Sequence, residues 1–271
     1  MVTKENQYYK QVGDYYDDDA PEFEKRYWKN PVLQRIRIDF RNYVHKLEFK
    51  NALEIGFGSG LDLAHFARCY PEKEFYGIDV SQGMVNSALA KKQKHQLQNL
   101  SIAKGSVEDV SQAFNNTKFD LIYVFFGALN TVENLELVAK ELNKLLAPNG
   151  KMVLTFVNKW YLQGMAIEFF KLRWDAAFGR LKKVWGGYSP TRHLSSVCYS
   201  PAQISRIFKN NNILQKQGYS ITHPAWYYIR FNIWLRPKGR WLLWKTDKWL
   251  NRTLAWKWGE YALYTMNKKS N

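Results

Sequence analysis

At residues 53–60 an apolar run, Leu53-Glu54-Ile55, passes into Gly56-Phe57-Gly58-Ser59-Gly60 and then into a segment of helical periodicity. Glycines at a strand-to-helix junction let the backbone turn sharply and approach a ligand at van der Waals distance. The start of the following helix offers N–H donors that have no partner within the helix. A chain with this junction is confined to folds in which strands feed helices and a ligand sits at the seam.

The flanking sequence keeps that alternation. Ala52–Ile55, Phe75–Ile78, Leu100–Ala103, Leu121–Phe126 and Met152–Val157 read as strands. Leu61–Ala67, Met84–Ala90 and the stretch through Leu135, Val138, Leu142 and Leu146 read as helices. Short strands that are apolar throughout and separated by helices predict a parallel sheet covered on both faces, an open doubly wound α/β fold. Upstream, the first thirty residues are rich in tyrosine and aspartate. Asn30-Pro31 then reads as an N-cap and first helical position, followed by an apolar stripe of Leu33, Ile36, Phe40, Val44 and Leu47.

Past Val157 the regularity stops. Trp160–Val184 predicts one long helical insertion ending at Gly186-Gly187, and Ser200-Pro201-Ala202-Gln203 reads as a capping box. Ile213–Ile221 and Tyr261–Met266 supply two last strands, for a seven-stranded sheet. With no internal repeat and no low-complexity linker, the chain reads as one domain. Its parts are an N-terminal helical lid (1–48), a ligand-binding core (49–158), and a helical substrate cap with the final strands (159–271).

The formal charge of +16 is unevenly placed. Residues 1–150 hold 19 basic and 20 acidic side chains, a net of −1, whereas residues 151–271 hold 21 and 4, a net of +17. The second half therefore favours an anionic partner. No window supplies the roughly 20 apolar residues of a membrane span. MVTKENQYYK has no apolar stretch behind a basic start, and two cysteines, Cys69 and Cys198, cannot build a disulfide scaffold. A cytoplasmic setting is expected, with membrane association through the basic half as an option.

The glycines follow G-x-G-x-G and not G-x-G-x-x-G, since position 61 is Leu61, which argues against a dinucleotide. Nineteen residues after Gly60, Asp79 ends the second strand, where a carboxylate can accept both hydroxyls of a ribose. With Glu54–Gly60 and Asp79 stand Gly105-Ser106-Val107-Glu108-Asp109, Phe119-Asp120-Leu121-Ile122 and Leu145-Leu146-Ala147-Pro148-Asn149-Gly150, in that order. This set resembles the class I S-adenosylmethionine-dependent methyltransferases over roughly residues 50–160. The resemblance implies a Rossmann-like, mostly parallel sheet and S-adenosylmethionine as cofactor. It also implies that Gly56, Gly58 and Gly60 pack on the methionine and ribose portions, that Glu54 supports the amino end, and that Asp79 binds the ribose. Val80, Ser106, Val107 and Phe125 would complete the pocket, with Ser106 where the family often has an aspartate that reads the adenine amine.

Phe125-Phe126-Gly127-Ala128-Leu129-Asn130 stands where enzymes acting on exocyclic base amines carry a Pro-Pro-Tyr-like grip, and neither cysteine follows a proline. Nucleic acid is thus disfavoured as the acceptor. The stretch looks like the branch that methylates small molecules, quinones and lipids. Methyl transfer is an in-line displacement that needs no metal, and the histidines form no H-x-x-x-H pair and no Cys/His metal spacing. His193, in Ser189-Pro190-Thr191-Arg192-His193, is the first candidate base. Tyr16 (with Tyr15) and Asn130 are candidates to close over the sulfonium and acceptor.

Trp226–Trp258 holds seven of the eleven tryptophans and eight Lys/Arg. Tryptophan favours the bilayer headgroup level, and each nearby cation adds about 1 kcal/mol at an anionic surface. This segment is expected to touch an anionic membrane, to bind single-stranded RNA by stacking and phosphate pairing, to offer a basic face to an acidic acyl carrier protein, or to form the underside of the cap. An RNA-modifying methyltransferase and a non-catalytic binding protein on the same fold are the alternatives.

Overall fold

The computed structural model describes residues 7–189 and 192–269. Seven strands, β1 (Asn51–Ile55), β2 (Glu74–Asp79), β3 (Leu100–Lys104), β4 (Phe119–Val124), β5 (Leu146–Val157), β6 (Asn211–Tyr219) and β7 (Tyr261–Lys268), form one sheet in the order β3-β2-β1-β4-β5-β7-β6. The pairs among β1–β5 are parallel, and β7 runs antiparallel to both β5 and β6. The order reverses beside β1, and such a switch point leaves a crevice at the carboxyl ends of the strands.

The strands are buried on both sides because their residues alternate between two cores. Ala52, Leu121, Tyr123 and Val153 enter one core, and Leu53, Ile122, Val124 and Leu154 the other. The first core is covered by α2 (Pro31–Val44), α3 (Leu61–Cys69) and α4 (Gln82–Lys94), which follow the long α1 (Gln7–Lys29). The second is covered by α5 (Val110–Ala113), α6 (Leu135–Leu145) and, beyond α7 (Leu162–Phe170) and α8 (Trp174–Phe178), by α9 (Pro201–Ile207). Two further helices, α10 (Ile229–Trp234) and α11 (Arg236–Leu250), lie between β6 and β7.

Both expected caps form. Asn30 accepts from the N–H groups of Val32 and Leu33, and Ser200 with Gln203 makes a reciprocal capping box. The tyrosine-rich leader is a helix, α1, within the segment expected as a helical lid, whereas the long insertion helix is broken. Its chain leaves α7 at Leu172, which adopts a left-handed φ of 58°, and restarts at Trp174. Deeper in the cap, buried Asp247 of α11 accepts from the N–H groups of Ile221 (3.0 Å) and Thr222 (2.7 Å) and from the Thr222 hydroxyl, fixing α11 to the loop after β6.

Asn30 also donates Nδ2–H to the carbonyl of Trp226 (2.9 Å), so one side chain caps α2 and holds the cap segment. Asn30→Ala is expected to cost about 1 kcal/mol, read as a lower midpoint of urea unfolding at unchanged slope.

Candidate active site

The crevice at the switch point is a cavity of about 550 Å³. Its floor is the glycine loop. Gly56 (φ +65°) and Gly58 (φ +56°) are in the left-handed region, and a Cβ on Gly56 would meet Ala128 Cβ at 2.5 Å. Asp79, at the end of β2, holds this loop: Oδ2 accepts from the Gly58 N–H (2.8 Å) and Oδ1 from the Ser81 N–H (3.0 Å). Burial pushes the Asp79 carboxyl up to about 6, against the lowering effect of those two donors.

α1 closes the crevice from above. Asp17 accepts from the Gly83 N–H (2.8 Å) and the Ser81 hydroxyl (2.5 Å), and Tyr9 donates to Glu108 (2.9 Å). Gly13 packs so closely on the β2–α4 loop that a Cβ there would meet the Val80 carbonyl oxygen at 3.0 Å. Tyr15, Tyr16 and Phe23 of α1 therefore face the cavity. Burial raises the Tyr16 hydroxyl above its usual range, and the nearby Tyr15 and Asp79 raise it further. On the cap side, the Arg192 guanidinium lies 4.2 Å over the Tyr15 ring and donates to the Tyr15 carbonyl.

Of the residues expected at the cofactor, Gly56, Gly58, Asp79, Val80, Ser106, Val107 and Phe125 line the cavity. Gly60 does not: it starts α3, and a Cβ there would meet Ala88 Cβ at 2.7 Å, so its small size serves helix packing. Glu54 lies buried beneath the loop with Oε2 unpartnered. Burial and the adjacent Asp62 raise its carboxyl well above the carboxylate range, while Arg37 opposes this. The Ser106 N–H and hydroxyl both donate to Asp109 (2.8 Å each).

The expected catalytic side chains are not brought together. Tyr16 faces the cavity, but His193 is exposed and lies outside the cavity lining, as does Asn130. Asn130 is buried, donating Nδ2–H to the carbonyls of Val157 (3.1 Å) and Val197 (2.6 Å) and accepting from the Val157 N–H (2.9 Å). With every polar group of its side chain engaged, it joins β5 to the cap segment. Pro190 and Thr191 lie outside the described residues.

A group that the sequence analysis passed over stands in the cavity wall. Tyr188 and Tyr261 line it with their hydroxyls 3.1 Å apart, and Tyr188 donates to Glu260 Oε1 (3.0 Å). The Arg180 guanidinium is 3.6 Å from Glu260, and both side chains are buried. Burial pushes the Glu260 carboxyl up to about 7, with Arg180 and Tyr188 opposing. Such a group gains or loses a proton near neutrality. One signal was available: Glu260 is among only four acids in a half with 21 bases.

Residues 48–214, more than half of the chain, match the family of methyltransferase domains. The chain belongs to that family. Left-handed Gly56 and Gly58 in the cavity lining, the acidic end of β2 at Asp79 and the unpartnered buried Glu54 Oε2 fit S-adenosylmethionine as its cofactor.

The chain is 40% identical over 75 residues to a tRNA (guanine-N(7)-)-methyltransferase of Nitrosomonas europaea, covering 27% of this chain and 34% of that protein. It is 26% identical over 127 residues to a demethylmenaquinone methyltransferase of a Geobacillus species, covering 46% and 50%. It thus spans half or less of the length of these relatives. Among solved structures, an S-adenosylmethionine-dependent methyltransferase from Clostridium acetobutylicum shares the fold with a TM-score of 0.54 at 15% identity, covering 86% and 89% of the two chains. PKMT2 of Rickettsia typhi, solved with AdoHcy, superposes with a TM-score of 0.51 at 18% identity, covering 82% of this chain and 49% of that one.

Asp79→Ala is expected to weaken S-adenosylmethionine binding by about tenfold or more in calorimetry, the effect of losing charge-assisted hydrogen bonds. Wild-type affinity should fall as pH drops through about 6, where the Asp79 carboxylate takes up its proton, and Asp79→Asn should flatten that dependence.

Proposed function

We propose that the enzyme methylates a small, lipid-like acceptor delivered from an anionic membrane surface. The observation that carries this reading is an exposed aromatic and cationic face on the cap, other residues of which, Tyr188 and Trp226, line the cavity. Turning about 100° per residue, α11 places Trp241, Lys245 and Trp249 on one stripe, with Trp244 about 100° from its centre and Asp247 nearly opposite. The first three are exposed and the last two buried. Lys245 Nζ lies 3.8 Å over the Trp241 ring. The tryptophans of this segment therefore divide, with Trp244 packed into the core and Trp234, Trp241 and Trp249 facing outward.

The α7–α8 turn extends the apolar face. Phe170 and Leu172 there are exposed by 82% and 73%, and Lys171 lies over the rings of Tyr228 and, in α10, Phe231. Aromatic side chains interleaved with lysines suit an anionic bilayer interface. Among the described residues no helix is long and apolar enough to cross a membrane. The contact proposed is therefore one of surface docking.

S-adenosylmethionine, when bound, supplies a methyl group on a sulfonium: the acceptor's electron pair forms the new bond as the sulfur–carbon bond breaks and its pair returns to sulfur. The chain's residues position the acceptor and take its proton. Tyr188 has one proton and directs it to Glu260, so Tyr261 donates to the Tyr188 oxygen. An acceptor O–H or N–H beside Tyr261 can pass its proton along these hydroxyls to Glu260, with Arg180 offsetting the charge on the carboxylate beforehand. Aromatic walls and the closing α1 exclude water from the sulfonium.

RNA methylation is a second reading, favoured by the tRNA methyltransferase relatives and by the +17 charge of residues 151–271. Methyl-labelled S-adenosylmethionine incubated with enzyme and host-cell extract separates the two. Label in the organic fraction, absent with Asp79→Ala, together with flotation on phosphatidylglycerol vesicles that Trp241→Ala/Trp249→Ala reduces, supports the lipid reading. Label in RNA replaces it. With the acceptor in hand, kcat should rise as pH climbs through about 7, where Glu260 becomes able to accept a proton. Glu260→Gln should lower kcat by about 10²-fold and remove that inflection.

A further inference from the structure

Away from the cavity, the end of α2 and the face of α3 bring together three side chains that the active site does not use. His45 directly follows α2, and His65 and Cys69 are one helical turn apart on α3. His45 Nε2 and His65 Nε2 are 3.1 Å apart, and Cys69 Sγ is 3.8 Å from His65 Nε2. The donor atoms of all three residues lie within 4.8 Å of one another.

We propose that His45, His65 and Cys69 form a binding site for a zinc-type divalent ion. Tetrahedral zinc, with bonds of about 2.05 Å to nitrogen and 2.3 Å to sulfur, requires an N···N edge of about 3.3 Å and an N···S edge of about 3.6 Å. The two edges measured here are within about 0.3 Å of those values, a change that small side-chain rotations supply. Two imidazoles and one thiolate are a donor set that zinc takes, with the fourth position left to water on the side where Cys69 is exposed.

The surroundings fit this assignment. The Tyr70 hydroxyl is 2.7 Å from His45 Nδ1, and a proton held on Nδ1 leaves the Nε2 lone pair free for metal. The facing charges are Arg41, Arg68, Lys73 and Asp62. Arg41 is engaged with Asp62 at 2.6 Å, and Lys73 Nζ lies over the Tyr70 and Phe49 rings. Binding displaces the Cys69 thiol proton to solvent and ties the end of α2 to α3, the helix into which the glycine loop runs. Contrary to the expectation of no Cys/His metal spacing, His65 and Cys69 stand four residues apart on α3, and only the third ligand, from the end of α2, is hidden from sequence spacing.

Cobalt(II) titration of the full chain tests this independently of methyl transfer. Saturation at one equivalent is expected, with a near-ultraviolet thiolate-to-cobalt charge-transfer band that zinc bleaches, and zinc alone should raise the melting temperature. Cys69→Ser should abolish the band, and His65→Ala should weaken binding at least tenfold, with circular dichroism confirming that both variants fold. Absence of the band in the wild type, or its persistence in Cys69→Ser, would overturn the proposal. The only other thiol, Cys198, is buried and distinguished by that variant.

Discussion

The carboxylate of Asp79 is the contact on which the site depends. It lies where β2 ends, and its two oxygens take N–H groups from the glycine loop after β1 and from the start of α4. Two neighbouring crossovers are thereby fixed to one side chain. The interaction is charge-assisted, hence stronger than a neutral hydrogen bond, but the carboxylate is buried and its protonation is raised. The loop is held by a group whose charge is sustained by the very donors it positions. Asp17 adds α1 to this arrangement through Ser81 and Gly83, so the lid and the loop share one network.

A second constraint operates in the cap. Arg180 and Glu260 are buried with a separation of 3.6 Å, and charged groups removed from water carry a desolvation cost that pairing offsets only in part. The surrounding rings account for the rest: Arg180 lies 4.8 Å over Trp185 and 5.1 Å over Tyr161, and Tyr188 donates to Glu260. A purely structural core would be simpler if apolar. Retaining an ionisable pair behind two cavity-facing tyrosines is consistent with a role in moving a proton.

How much was legible along the chain follows from the range of the forces involved. The strands of β1–β5 and the caps at Asn30 and Ser200 are local events, set by apolar runs and side-chain oxygens within three residues. Those positions were readable, as were the cavity-lining Gly56, Gly58, Asp79 and Val107, because a glycine junction and an acidic strand end have few other uses. Gly60 matched the pattern equally well, yet it packs against Ala88, a contact about thirty residues away. Asn130 and His193 show the same limit: one is consumed by carbonyls of β5 and the cap segment, and the other faces solvent.

The sequence by itself determined the alternation of strands and helices, the loop chemistry and the family, since these rest on periodicity and on backbone freedom at named glycines. It also fixed the imbalance of charge between the two halves. Only the tertiary structure decided which tryptophans are exposed, which hydroxyls line up on Glu260, and that His45 meets His65 and Cys69. Each of these joins residues that are distant along the chain, and neither periodicity nor spacing carries information about a contact made by packing.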